Sequence, residues 1–194
     1  GLAHPMIPEN RVVAYGTYDG YTHNITYTED VFEFYMMHKN ADMVLCGHNI
    51  AFDLMYLYKM HPALKGKLQQ HKIWDTQLAE YILTAQRSKF SSLDELSIKY
   101  KLPIKDDKIS KYFKAGLGAD KIPQEELTPY LQQDVTNTYK IAAAQYELAA
   151  QQGQLQLIQS QMEAQHATIE MMFNGLNIDT KRLDEYTVEV VDSY

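Results

Sequence analysis

Two runs of β-branched and aromatic residues, Arg11-Val12-Val13-Ala14-Tyr15-Gly16-Thr17-Tyr18 and Tyr21-Thr22-His23-Asn24-Ile25-Thr26-Tyr27, meet at Asp19-Gly20. Asp-Gly between such runs favours a two-residue turn, so this stretch predicts an antiparallel strand pair. Such a pair is not stable alone and needs further elements packed on it. The chain beyond Tyr27 supplies an alternation of helix and strand signals. Thr28, with Glu29 and Asp30 behind it, predicts a capped helix to about Asn40, since acidic side chains suit the positive end of a helix. Met43-Val44-Leu45-Cys46 reads as a short apolar strand stopped by Gly47, and Asn49 to Met60 as the helix after it. A second strand is predicted from Lys72 to Asp75, leading into a helix from Thr76 to Thr84 with Leu78, Ala79, Ile82 and Leu83 on one face. The alternation predicts an α/β fold.

The second half is helical in pattern. Ser91 and Ser92 stand three residues before Asp94 and Glu95, the capping-box spacing, and predict a helix to Tyr100. Pro103 to Pro123 is rich in Lys and Asp and contains Gly116-Leu117-Gly118, which predicts a surface segment. Thr128-Pro129 predicts a helix start, with Thr as the cap and Pro in the first turn. The helical pattern weakens at Gly153, stops at Asn174-Gly175, and resumes from Thr180 to Tyr194 with no stop signal. Together with an opening Gly1 rather than Met, this reads as a fragment of a longer chain.

Bulk properties narrow the function classes. At 194 residues the chain is long enough for one buried core and a short extension. With 45% hydrophobic and 22% charged residues and no long apolar run, nothing in it reads as membrane-spanning. The lone cysteine, Cys46, lies in an apolar run and is expected to be a buried thiol in a reducing compartment. A net charge of -7 speaks against holding nucleic acid by a basic surface alone. It suits an enzyme that gathers carboxylates around metal ions on a phosphodiester.

Two pairs of residues carry that chemistry. Asn49 and Asp53 are four apart in a helical run, so both are expected on one face at the end of a strand. Tyr130 and Asp134 repeat the spacing in a later helix, giving a carboxylate and a phenol that can address the same water. Either pair alone says little: Tyr15 and Asp19 show the same Tyr-x-x-x-Asp spacing across a hairpin turn.

The ordered set says more. Gly47-His48-Asn49-Ile50-Ala51-Phe52-Asp53 resembles the second motif of the proofreading exonucleases attached to family A DNA polymerases. Tyr130-Leu131-Gln132-Gln133-Asp134 is similar to their third motif, and Trp74-Asp75-Thr76-Gln77-Leu78-Ala79-Glu80-Tyr81-Ile82-Leu83 resembles the strand-to-helix segment between the two. Farther on, Glu170-Met171-Met172-Phe173-Asn174-Gly175-Leu176-Asn177-Ile178-Asp179 resembles the segment that opens the polymerase domain, which disfavours the alternative of a ribonuclease D-like exonuclease.

The resemblance implies an RNase H-like, DnaQ-like fold, a mixed sheet flanked by helices, with a C-terminal helical extension. It implies an exonuclease domain over residues 1–153 and the start of a polymerase domain over 154–194. It also implies two-metal hydrolysis with Mg2+ or Mn2+, with Asp53 and Asp134 as metal ligands and Tyr130 as the third catalytic residue. Asn49, His48 and Leu2 would contact the substrate, Leu2 as a wedge between terminal bases. The implied partners are a single-stranded or frayed 3′ end of DNA, the nucleoside monophosphate product and the rest of a polymerase chain, in the cytoplasm of a bacterial or phage-infected cell. The base-stacking aromatic expected near Lys105 to Lys108 is absent, leaving Tyr112 or Phe113 as substitutes; Lys105, Lys108, Lys111 and Lys114 read as a solvated charged face. The family carries two further carboxylates in an Asp-x-Glu motif on its first strand, and no Asp-x-Glu occurs in this sequence. Gly1-Leu2 resembles the residues directly after that motif, so the 194 residues alone are expected to be nearly inactive. The other reading is a non-catalytic nucleic-acid-binding module.

Overall fold

A computed structural model describes residues 4–28, 43–87, 89–104 and 108–191. Leu2, Lys105 and the helix expected from Glu29 to Asn40 lie outside them. Among the described residues the elements run β1 (Tyr15–Tyr18), β2 (His23–Thr26), β3 (Val44–Gly47), α1 (Ile50–Met60), α2 (Lys65–Leu68), β4 (Lys72–Asp75), α3 (Thr76–Leu83), α4 (Leu93–Lys99), α5 (Ser110–Lys114), α6 (Gln124–Gln151), α7 (Leu155–Asn174) and α8 (Thr180–Val191). Short 3-10 turns lie at Pro62–Leu64 and Ala119–Lys121.

This is the expected α/β alternation, but the described strands make two small sheets where one mixed sheet is expected. β1 and β2 pair antiparallel, β3 and β4 pair parallel, and helix α6 packs against strands of both sheets. The hairpin also turns differently. Tyr18 pairs with His23, so four residues bridge the strands, because the Asp19 carboxylate accepts hydrogen bonds from the Tyr21 and Thr22 amides at 2.9 and 2.7 Å. That Asx-type turn competes with the tighter two-residue turn that Asp-Gly usually makes.

The main core joins α1, β4, α3, α6 and α7. Leu54 and Tyr58 of α1 are buried against Ile158, Met162 and Ile169 of α7, with Ile73, Trp74, Ala79 and Ile82 behind them. Full burial of one such side chain contributes roughly 1.5 to 3 kcal/mol. Helix α7 is thus part of the same core as α1, held also by Glu170, which accepts from Lys65 at 2.5 Å and from Gln69 at 2.9 Å. Helix α8 buries no residue.

Several local expectations are corrected. Cys46 is exposed, because alternation along β3 turns Leu45 toward the core and Val44 and Cys46 away from it. Helix α6 begins at Gln124 behind Pro123, with Glu125 and Glu126 in its first turn, so Pro129 lies inside the helix. Thr128 bonds through its hydroxyl to Tyr27 at 2.7 Å instead of capping. Residues 108–123 are not a plain surface loop: they hold helix α5, and Ile109 and Ile122 are buried with Leu127 in a second small cluster. The capping box at Ser92 and Glu95 is present, and the breaks at Gly153 and Gly175 fall where both take positive φ, 69° and 68°.

Candidate active site

The site is built where the parallel strands β3 and β4 end side by side. Their register pairs Gly47 with Asp75, so helices α1 and α3 start from the same level. A Cβ on Gly47 would lie 2.7 Å from Ile50 Cγ1, so only glycine lets α1 begin this close to the strand end. Asn49 is not in the helix. It stands before α1 in the left-handed region, at φ 56° and ψ 51°, a conformation that Asn tolerates, and its side chain makes no cap bond. The expectation that Asn49 and Asp53 share a helical face therefore fails. The Asn49 side chain is exposed at the helix mouth, and Asp53 sits in the first turn of α1.

The capping is done by Asp75. Its Oδ1 accepts from the Asn49 amide at 2.9 Å and the Gln77 amide at 2.9 Å, with a longer contact of 3.5 Å to the Leu78 amide. Its Oδ2 accepts from the Ile50 amide at 3.2 Å and from Gln165 Nε2 of α7 at 2.7 Å. One carboxylate, 2% exposed, thus serves the starts of two helices. Asp75 is the cap of α3, which it directly precedes, and also serves α1, although nothing in the residue order points from Asp75 back to Asn49 and Ile50.

His48 is half-buried, with Nδ1 3.0 Å from the Thr76 hydroxyl. The same hydroxyl lies 3.3 Å from the Gly47 carbonyl, so Thr76 links His48 to the end of β3. His48 is therefore fixed to the start of α3.

Asp53 is reachable by solvent but crowded by protein. Desolvation first, then the charge of Asp75, and to a smaller degree that of Asp134, push its carboxyl up to about 7. The last contribution is informative: Asp134 belongs to α6, far away in sequence, yet its charge is felt at Asp53. Asp134 and Tyr130 both lie on α6, one helical turn apart, and Tyr130 packs beside Ile109, Ile122 and Leu127. The structure thus brings Asp53, Asp75 and Asp134 into one negative region. Among the described residues, no three His, Cys, Asp or Glu side chains gather closely enough to hold a metal ion by themselves.

The expected substrate-facing aromatics divide. Tyr112 is tied down, its hydroxyl donating to Glu126 at 3.0 Å, while Phe113 is exposed. Lys111 is engaged with Glu126 at 3.3 Å and lies over the Tyr112 ring, which fits a charged face more than a phosphate clamp. No helix of the described residues is long and apolar enough to cross a membrane.

The family model described as 3′-5′ exonuclease matches residues 13–145, a span that holds His48, Asn49, Asp53, Asp75, Tyr130 and Asp134. Searches of curated proteins and of solved structures gave no match. By the extent of that match, the chain belongs to the 3′-5′ exonuclease family.

Proposed function

We propose that the chain is the proofreading exonuclease portion of a family A DNA polymerase, RNase H-like in fold, removing nucleotides from single-stranded or frayed 3′ ends of DNA and releasing nucleoside monophosphates. The observation that carries this reading is the match to the 3′-5′ exonuclease family over residues 13–145, a span that holds Asp53, Tyr130 and Asp134 in the order of the family's motifs. The resemblance of Glu170 to Asp179 to the opening of a polymerase domain supports membership of a longer polymerase chain, with residues 154–194 at its start.

The residues fit a hard divalent cation in part. A carboxyl driven to about 7 by crowding and by neighbouring negative charge is one that a bound cation would relieve, and Asp53 and Asp134 supply hard oxygen donors. These two residues would hold Mg2+ or Mn2+ with help from substrate phosphates, and paired ions there would activate water and stabilise the leaving oxygen. Tyr130 would orient the attacking water through its hydroxyl. Asn49, exposed and held outside the helix, would offer its amide to the terminal nucleotide, and His48 would stiffen the turn that presents it. Leu2 keeps its proposed role as the base wedge on the resemblance alone. With no Asp-x-Glu in the sequence, the site has two of the family's four carboxylates, so the 194 residues by themselves should cut slowly.

The test is release of nucleotide from 3′-labelled single-stranded DNA with Mg2+ or Mn2+, by the chain and by a longer version extended upstream through an Asp-x-Glu. The longer version should degrade the strand, and its Asp134→Ala variant should not. Undiminished degradation by that variant would show the site to be misassigned.

A further inference from the structure

The register of α1, and with it the place of Asp53, is set from outside the helix. The two amides that open it, Asn49 and Ile50, donate to the two oxygens of Asp75, a residue on another strand. Asp75 is in turn gripped by α7 at both ends. Its backbone amide donates to Met162 Sδ at 3.3 Å, and its Oδ2 accepts from Gln165 Nε2 at 2.7 Å. Met162 and Gln165 are three apart, on one face of α7, and Ile169 of the same face is fully buried in the core. A continuous chain of hydrogen bonds therefore runs from α7 through Asp75 to the amides that open α1, one turn ahead of Asp53.

A buried carboxylate with no cation beside it is costly unless its oxygens are filled by donors. Here the donors are the amides of two helix starts and one side-chain amide, all of which lose their acceptor if the carboxylate is removed. That makes Asp75 a stiff joint rather than an adjustable one. On the exonuclease reading above, we infer that Asp75 is a positioning residue for Asp53, and that Gln165 makes helix α7 part of the exonuclease site although α7 lies beyond the residues that the family match covers. Partners that orient a metal ligand from behind typically change metal affinity by roughly 10 to 100-fold when removed. Asp75→Asn keeps the shape but sets an amide nitrogen against amide donors, so it should weaken the site by about 10-fold or more. Gln165→Leu removes one hydrogen bond of the five that Asp75 accepts and should weaken it less, by about 3-fold.

The measurement is Mn2+ binding to the 194-residue chain, read from the loss of the free-ion paramagnetic resonance signal, with thermal unfolding of each variant alongside. Asp53→Asn should lose binding, Asp75→Asn and Gln165→Leu should weaken it in that order, and Leu64→Ala, which opens the core at the turn Pro62–Leu64 and makes no hydrogen bond to Asp75, should lower the melting temperature without changing the binding. Loss of binding in Asp53→Asn together with native affinity in Gln165→Leu overturns the coupling to α7, and Gln165→Leu decides this even where Asp75→Asn does not fold. Mn2+ binding that survives Asp53→Asn overturns the metal reading itself, a different failure.

Discussion

Replacing Asp53 by Asn should make this protein more stable, and only at neutral and alkaline pH. The folded protein holds the Asp53 carboxyl up from 3.8 to about 7, chiefly by desolvation and then by the charges of Asp75 and Asp134. The folded state therefore binds this proton more tightly than the unfolded chain, and unfolding releases it between about pH 4 and 7. Stability falls as pH rises through that window: no penalty exists below it, and the full penalty applies above it. Unscreened, a displacement of this size corresponds to roughly 4 kcal/mol. Asp53 is reachable by solvent, so about a third of that, roughly 1.5 kcal/mol, is the expected effect. For a chain of this size that is a rise in melting temperature of about 3 to 6 °C. Thermal unfolding of Asp53→Asn and the native chain in chelator, at about pH 4, 6 and 8, should show curves that coincide at the lowest pH and separate progressively above it. Addition of Mn2+ should close the gap by stabilising the native chain alone. A variant no more stable than native at pH 8, or a gain independent of pH, would refute the reasoning.

The same geometry bears on three other experiments. In a polymerase chain that carries these residues as its exonuclease portion, as proposed above, Asp53→Ala or Asp134→Ala should abolish 3′ degradation while primer extension stays near native, as measured on labelled primer-template. Tyr130→Phe should be milder, a loss of at most about 10² to 10⁴-fold in the single-turnover rate, because it removes only the hydroxyl proposed to orient water. Glu80→Gln should cost stability instead of activity. Burial alone would push the Glu80 carboxyl up, but hydrogen bonds from Lys99, Gln145 and Tyr100 outweigh it and hold the group below the usual range. Its ionised form stabilises the fold at neutral pH and that contribution disappears as pH falls through its lowered folded value, so denaturant unfolding should show a loss of about 1.5 to 3 kcal/mol at neutral pH that shrinks in acid.

What the residue order reveals and what it hides divide along a physical line. Features closed within a few residues are legible: the Ser92–Glu95 box, the glycine stops at Gly153 and Gly175, and the strand from Lys72 to Asp75 are all local chemistry, and all are present. Errors arise where two local signals compete, as at Asp19, whose carboxylate overrides the turn its Gly neighbour favours, and at Thr128-Pro129, a start signal that lies within a helix begun earlier by Pro123 and its acidic followers. Cys46 is misplaced because an apolar run does not say which of its faces a neighbouring element covers. The site shows the same division. Asp53, Tyr130 and Asp134 are proposed from the ordered motifs that resemble the family's, but the residue that ties α1 down is not legible there, since Asp75 reaches back to Asn49 and Ile50 and forward to Gln165 by folding alone. Asn49 is the sharpest case. Four-residue spacing puts it on the helix face with Asp53, yet its backbone is left-handed, its amide donates to a carboxylate on another strand, and its side chain makes no cap bond to the helix. The motif is read by its side chains, whereas its shape is set by an acceptor for its backbone.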